Sequence, residues 1–342
     1  MNGGAAVKRR RQGSFLAGPA SSSCVATLKG HSHSVQSVAF HPTASLLATG
    51  SHDGTVKLWL LSPDNTSATC VTTLAGNRSP VASVAFHPTA PLLATGSHDA
   101  TLKLWMLSPD NMSATCVTTL AFHSGTVDSV AFHPTAPFLA TGSVDNTVRL
   151  WMLSSDNKSA TCVATLKGHT RSVNSVAFHP TASLLATGSH DNTVKLWMLS
   201  PDNKSATCVA TLMEHIYAVR SVAFHPAAPL LATGSNDTTL KLWMLSPDLS
   251  SITCVATLKG HRDCILSVAF HPTDPFLATG CCDHTVKLWL LSPDNKSATC
   301  VATLAGHRSP VTSVAFHPTA PRPLLAFSSW ARTVKLWLFQ PR

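Results

Sequence analysis

Short stretches in which apolar and polar residues alternate recur along the chain from about Cys24 to its last residues, each broken by a turn signal. In the first such block, residues 24–28 predict a strand, followed by a Gly30-His31 turn. Residues 35–40 predict a second strand closed by His41-Pro42, and residues 46–51 a third, with a tight turn at Asp53-Gly54. Residues 55–61 predict a fourth, in which Val56, Leu58 and Leu60 alternate with Lys57, Trp59 and Leu61. Period-two alternation with β-branched residues indicates strand, and no segment carries a helical period. A loop reading Ser62-Pro63-Asp64-Asn65 then leads into a second copy of the same pattern.

The copies keep strict time. Trp59, Trp105, Trp151, Trp197, Trp243 and Trp289 are each 46 residues apart, and Trp337 follows after 48, with the two extra residues at Pro321-Arg322-Pro323. Seven tryptophans in register mean seven copies, filling residues 24–342. A four-stranded sheet of this size cannot bury both faces alone, whereas seven stacked radially cover one another. The expected fold is all-β, a seven-bladed propeller of four-stranded antiparallel blades.

The Gly-His turn, the Ser-Val-Ala-Phe strand, the Ala-Thr-Gly-Ser-x-Asp stretch and the terminal Trp together resemble the WD-repeat propeller family across residues 24–342. The resemblance implies a repeat offset from the blade, so that residues 24–28 pair beside residues 334–339 and close the ring. It also implies a polar tetrad in each blade: His31, Thr49, Asp53 and Trp59 in the first copy, and His169, Thr187, Asp191 and Trp197 in the fourth. Five copies hold all four members. The second has Asn77 in place of His, and the seventh has Phe327 and Ala331 in place of Thr and Asp, which makes blades two and seven the expected soft ones. The family's Trp-Asp dipeptide is Trp-Leu or Trp-Met in every copy.

Composition alters this picture little. Charged residues make up 12% and hydrophobic residues 44%, too apolar for a disordered chain, and no window reaches the roughly 18 apolar residues of a membrane span. No membrane association is expected. Four of the nine surplus positive charges, Lys8 to Arg11, fall in residues 1–23, which read as a flexible basic tail, leaving +5 for the rest. Seven cysteines recur at one place per copy, from Cys24 to Cys300, and read as small buried apolar residues. With no recognisable export signal, the expected location is cytoplasmic or nuclear.

Eighteen histidines invite an enzymatic or metal reading, but six fall in Gly-His-type turns and seven in Phe-His-Pro turns, once per copy, which marks a structural role. No paired carboxylates, phosphate loop or zinc-protease motif occurs. The sixth copy alone has cysteines out of register, Cys264, Cys281 and Cys282, near His261 and His284. They read as free thiols, with Cys281 and Cys282 facing opposite ways, and neither a metal nor a cofactor is expected. No catalytic residues are expected either.

Divergence between copies points elsewhere. One slot ahead of the Ser-Val-Ala-Phe strand reads Gln36, Ala82, Asp128, Asn174, Arg220, Leu266 and Thr312. A second reads Ser34, Pro80, Thr126, Ser172, Ala218, Cys264 and Pro310, and a third, before the tight-turn Asp, reads His52, His98, Val144, His190, Asn236, Cys282 and Trp330. By the resemblance, all three line the top face around the central channel, where family members grip peptides and protein loops. The fifth copy departs furthest and holds the only Tyr, Tyr217, three residues before Arg220; Tyr, Trp and Arg are enriched at interface hot spots. Tyr217, Arg220, Arg262, Leu266, Arg308, Trp330 and Asp128 are therefore the expected partner-binding residues. The leading reading is a non-enzymatic protein-interaction scaffold, a monomeric propeller within a larger complex, taking an acidic or mixed polar segment. The alternative is nucleic-acid or ribonucleoprotein binding through the basic tail and the repeated Lys57-type positions.

Overall fold

The computed structural model describes residues 21–249 and 251–340, so Lys8 to Arg11 of the basic segment lie outside the described residues. Among the described residues are 28 strands, arranged as seven four-stranded antiparallel sheets. The first blade is β2 (Val35–Phe40), β3 (Leu46–Ser51), β4 (Val56–Leu61) and β5 (Ala68–Leu74), in that order from the inside out. The seventh blade is completed by β1 (Ser21–Lys29), which pairs with the last strand, Thr333–Gln340, over the whole run from Ser21↔Gln340 to Lys29↔Thr333. The ring is thus closed by joining the two chain ends in one sheet, and β1 begins at Ser21, ahead of the expected Cys24.

Three features of the repeated sequence are contacts between neighbouring blades. The Ser of each Ser-Val-Ala-Phe strand accepts a hydrogen bond from the Val backbone N–H of the next blade, from Ser37 Oγ with Val84 at 3.1 Å round to Ser313 Oγ with Val38 at 3.3 Å. Each Phe-His-Pro histidine meets the Phe of the next blade, His41 on Phe86 at 5.0 Å and, closing the circle, His317 on Phe40 at 4.9 Å. The same rings cap their own turns, since His41 Nδ1 accepts from the backbone N–H groups of Thr43 and Ala44. Gly50 sits where a Cβ would lie 2.7 Å from Val81 and 2.9 Å from Val84 of the second blade, so a side chain there would force the blades apart. The repeated residues therefore maintain the seams as well as the strands.

This stacking corrects two expectations. In β4, Trp59 and Leu61 are buried beside Val56 and Leu58, and Leu60 is the exposed residue. A strand covered on both faces by adjacent blades loses simple alternation. The repeated cysteines are not buried either: Cys24, Cys70, Cys116, Cys208 and Cys300 are exposed, and Cys162 and Cys254 half-buried. They lie on the outermost strand of each blade, at a bulge opposite the Trp, as with Cys70 beside Trp59. There the thiol turns back to a nearby carbonyl, Cys70 Sγ to Thr72 O at 3.6 Å.

Antiparallel pairing divides the loops between two ends. The connections at residues 30–34 and 52–55, and their equivalents, share one end, here called the upper end. The Phe-His-Pro and Ser-Pro-Asp-Asn turns share the other.

Candidate functional site

The polar tetrads frame the upper end. In blade one, His31 Nδ1 lies 2.9 Å from Asp53 Oδ2, His31 Nε2 2.7 Å from Thr49 Oγ1, and Trp59 Nε1 donates to Thr49 Oγ1 at 2.9 Å. In blade four the corresponding distances for His169, Asp191, Thr187 and Trp197 are 2.8, 2.7 and 2.9 Å. Burial lowers the His31 pKa, against the pull of Asp53, so the ring is neutral. Burial alone would raise the Asp53 carboxyl, but hydrogen bonds from Thr55 and His31 outweigh it and bring the group to about 2. A neutral ring that donates through Nδ1 to the carboxylate accepts at Nε2 from the Thr hydroxyl, and the chain of bonds is satisfied. The Thr is wholly buried and the His nearly so, which leaves no accessible nucleophile.

Five blades carry the whole tetrad, and the other two show what its loss leaves. Both polar side-chain atoms of Asn77 are buried without a partner in blade two, as is Trp337 Nε1 in blade seven. Blade seven fills the gap with Phe327, packed against His307 and Trp337. Burial there drives the His307 pKa down to about 4.

The seven-fold geometry gathers the first divergent slot into one place. Gln36, Ala82, Asp128, Asn174, Arg220, Leu266 and Thr312, one from each blade, line a central cavity of about 310 Å³. Of the third slot, His98 and Trp330 reach that lining. The second slot does not. It contributes backbone carbonyls to the tight turns instead, as Ser34 O does to Ser51 Oγ and His52 N. The acid and the strong base of the channel are Asp128 and Arg220, on blades three and five. Burial raises the Asp128 carboxyl to about 6, with Arg220 pulling the other way. Arg220 Nη1 donates to His190 Nε2 at 2.8 Å, and Asn174 Nδ2 to Val219 O at 2.8 Å, which ties blade four to blade five beside the channel.

Tyr217, Arg262 and Arg308 stand away from the channel on the exposed connections into blades five, six and seven. Tyr217 shares its connection with two further exposed apolar residues, Met213 and Ile216, which no motif singled out. The three side chains are 60%, 73% and 71% exposed, well above what an apolar side chain needs to be accessible to a partner.

The "WD domain, G-beta repeat" family matches the chain seven times, at residues 22–59, 68–106, 114–152, 160–198, 206–244, 252–289 and 298–337. The chain belongs to the WD-repeat family. WD-repeat propellers generally act as protein-interaction scaffolds and are usually non-enzymatic. Nothing in the geometry supports the nucleic-acid alternative: the repeated cations are engaged within their blades, Lys57 Nζ donating to Thr73 Oγ1 at 2.8 Å and Arg149 Nη1 to Thr165 Oγ1 at 3.2 Å. No helix among the described residues is long and apolar enough to cross a membrane.

Proposed function

We propose that this WD-repeat chain is a non-enzymatic scaffold that holds a segment of a partner protein against the upper end of blades five to seven. The observation that carries the proposal is the placement of its exposed apolar side chains. Nine large hydrophobic residues are exposed among the described residues, and six of them lie at the upper end, four on blades five and seven (Met213, Ile216, Tyr217 and Trp330) and two on blade three (Phe122 and Val144). Exposed apolar side chains gathered at one end of a rigid frame mark an interaction surface. Tyr217 and Trp330 supply aromatic anchors, Arg220, Arg262 and Arg308 supply cations at the rim and channel, and Leu266 adds an apolar wall. That set suits an acidic or mixed polar segment, with Asp128 providing the one opposing charge in the channel. Ten free cysteines, five of them exposed, suit a reducing compartment, so we place the protein in the cytoplasm or nucleus.

The test is affinity capture from native cell extract at physiological salt with the wild type and a Tyr217→Ala/Arg220→Ala variant. Loss of a defined protein partner from the folded variant supports the proposal. Equal capture of the same partners by both forms removes Tyr217 and Arg220 from the interface, and capture of ribonucleoproteins alone by both forms overturns the scaffold reading.

A further inference from the structure

Three residues of the sixth copy differ together from their counterparts, and the fold brings them to one point. At the slot of Asp263 the other blades carry His33, Ser79, Gly125, Arg171, Tyr217 and Ser309, and neither of the slots of Cys264 and Cys282 holds a cysteine elsewhere. The Cys282 N–H donates to Cys264 O at 2.9 Å, so the two cysteines face each other across the mouth of the blade. Asp263 precedes Cys264, and its Oδ1 accepts the Cys264 N–H at 2.7 Å. One carboxylate oxygen and two sulfurs thereby lie within 4.8 Å of one another.

Cys281, next in sequence, points the other way. It is fully buried and replaces the serine of the other tight turns, donating to Asp263 O at 3.1 Å and accepting from Asp283 N–H at 3.3 Å. His261 is held by Asp283 and Thr279 in its tetrad. The residues close in sequence are thus sorted by the fold: His261 and Cys281 stay together with Asp283 on the buried side, each already engaged in the tetrad or the tight turn, and His284 joins neither group. The group at the rim is Asp263, Cys264 and Cys282.

We propose that Asp263, Cys264 and Cys282 form a zinc-binding site at the upper rim of blade six, with a fourth position open to solvent. Two thiolates and a carboxylate are a soft, borderline donor set that suits Zn²⁺ over Mg²⁺ or Ca²⁺. With Zn–S near 2.3 Å and Zn–O near 2.1 Å, a tetrahedral site sets its donors about 3.5–3.8 Å apart, so closing from within 4.8 Å takes side-chain movements on the order of 1 Å. Asp263 is exposed and the two cysteines half-buried, which leaves an entry path and room for a water or a partner's side chain as fourth ligand. Three anionic donors and one Zn²⁺ carry a net single negative charge. Without a metal, burial pushes both thiols up, Cys282 to about 12, with the Arg220 guanidinium pulling the other way. Binding would therefore release the thiol protons, and Arg220 would offset the remaining charge.

The site is tested on the full chain kept reduced with a phosphine, using Co²⁺ and Zn²⁺ alone as probes. The variant is Cys264→Ala/Cys282→Asn, which installs the residues that blade five holds at these slots, Ala218 and Asn236. The control is Cys300→Ser, at an exposed repeat cysteine. The wild type and the control are expected to bind one equivalent of Co²⁺ with a thiolate-to-metal charge-transfer band that Zn²⁺ displaces. The double variant is expected to lose the band and to bind Zn²⁺ weaker by roughly a hundredfold or more. Unchanged Zn²⁺ affinity in the folded double variant overturns the proposal. So does a band abolished by Cys300→Ser, or a Cys264–Cys282 disulfide that persists in the reductant.

Discussion

The Arg220 guanidinium donates to Nε2 of His190 at 2.8 Å, so a strand of blade five is hydrogen-bonded to the tight turn of blade four beside the central channel. Only a neutral imidazole can accept that bond. Burial first, then Arg220 and Arg171, hold the His190 pKa below its ordinary value. Arg220→Met, which keeps the stem and removes the charge, is expected to raise the His190 pKa toward 6.5. A histidine-resolved NMR titration checks it, and an unmoved pKa would show that the contact does not form in solution.

Asp128 is the channel group whose environment suits its charged form least. Its folded pKa of about 6 lies above its unfolded value near 3.9, so the stability it contributes is fully present below pH 4 and lost as pH rises through 6. Asp128→Asn, the residue of the blade-four slot at Asn174, is therefore expected to stabilise the fold by about 1–3 kcal/mol at pH 8 and by almost nothing at pH 4. Denaturant melts at the two pH values measure the difference. An equal effect at both would mean that the carboxylate is not desolvated.

The gap in blade two can be closed by one substitution. Asn77→His restores a ring between Asp99 and Thr95, whose hydroxyl already accepts from Trp105 Nε1 at 3.0 Å. Two new buried hydrogen bonds and two fewer orphaned atoms are expected to add about 1–2 kcal/mol. Hydrogen exchange across residues 81–120 should slow with the rise in melting temperature. A drop in stability would show that the ring does not fit the space left by Asn.

Acid should loosen the ring at its seams. Burial lowers the pKa of the seam histidines His41, His87, His133, His179, His225 and His317, as well as His31 and His307. Each folded pKa lies below the unfolded value near 6.5, so the unfolded chain binds more protons and stability falls as pH drops below about 6.5. Each such group steepens the loss by up to about 1.4 kcal/mol per pH unit until its own folded pKa is passed. Melting curves between pH 8 and pH 4.5 should therefore show a steep, cooperative decline. A flat profile over that range would contradict the buried, neutral state of these rings.

The amino-acid sequence by itself determined the blade count and the strand positions, because both depend on a period that Trp59 to Trp337 make plain. The tetrad membership came from the resemblance to the WD-repeat family, carried onto the residues of each copy. The sequence also located the divergent slots. The resemblance placed all three slots at the channel, and the ring sorted them: the seven side chains of the first slot, each 46 residues from the next in sequence, meet around one channel because the blades are arranged about an axis, and the second slot does not reach it. The exposure of the repeated cysteines was illegible for a related reason. A small sulfur side chain reads as core, but the bulge opposite each Trp sets it on the outermost strand, which no further strand covers. In blade six, the pleat already set adjacent Cys281 and Cys282 on opposite faces in the sequence, and the structure puts Cys281 in the core and Cys282 at the rim. There it meets Cys264 and Asp263 across the strand pair, a contact set by the register of the sheet, not by spacing along the chain.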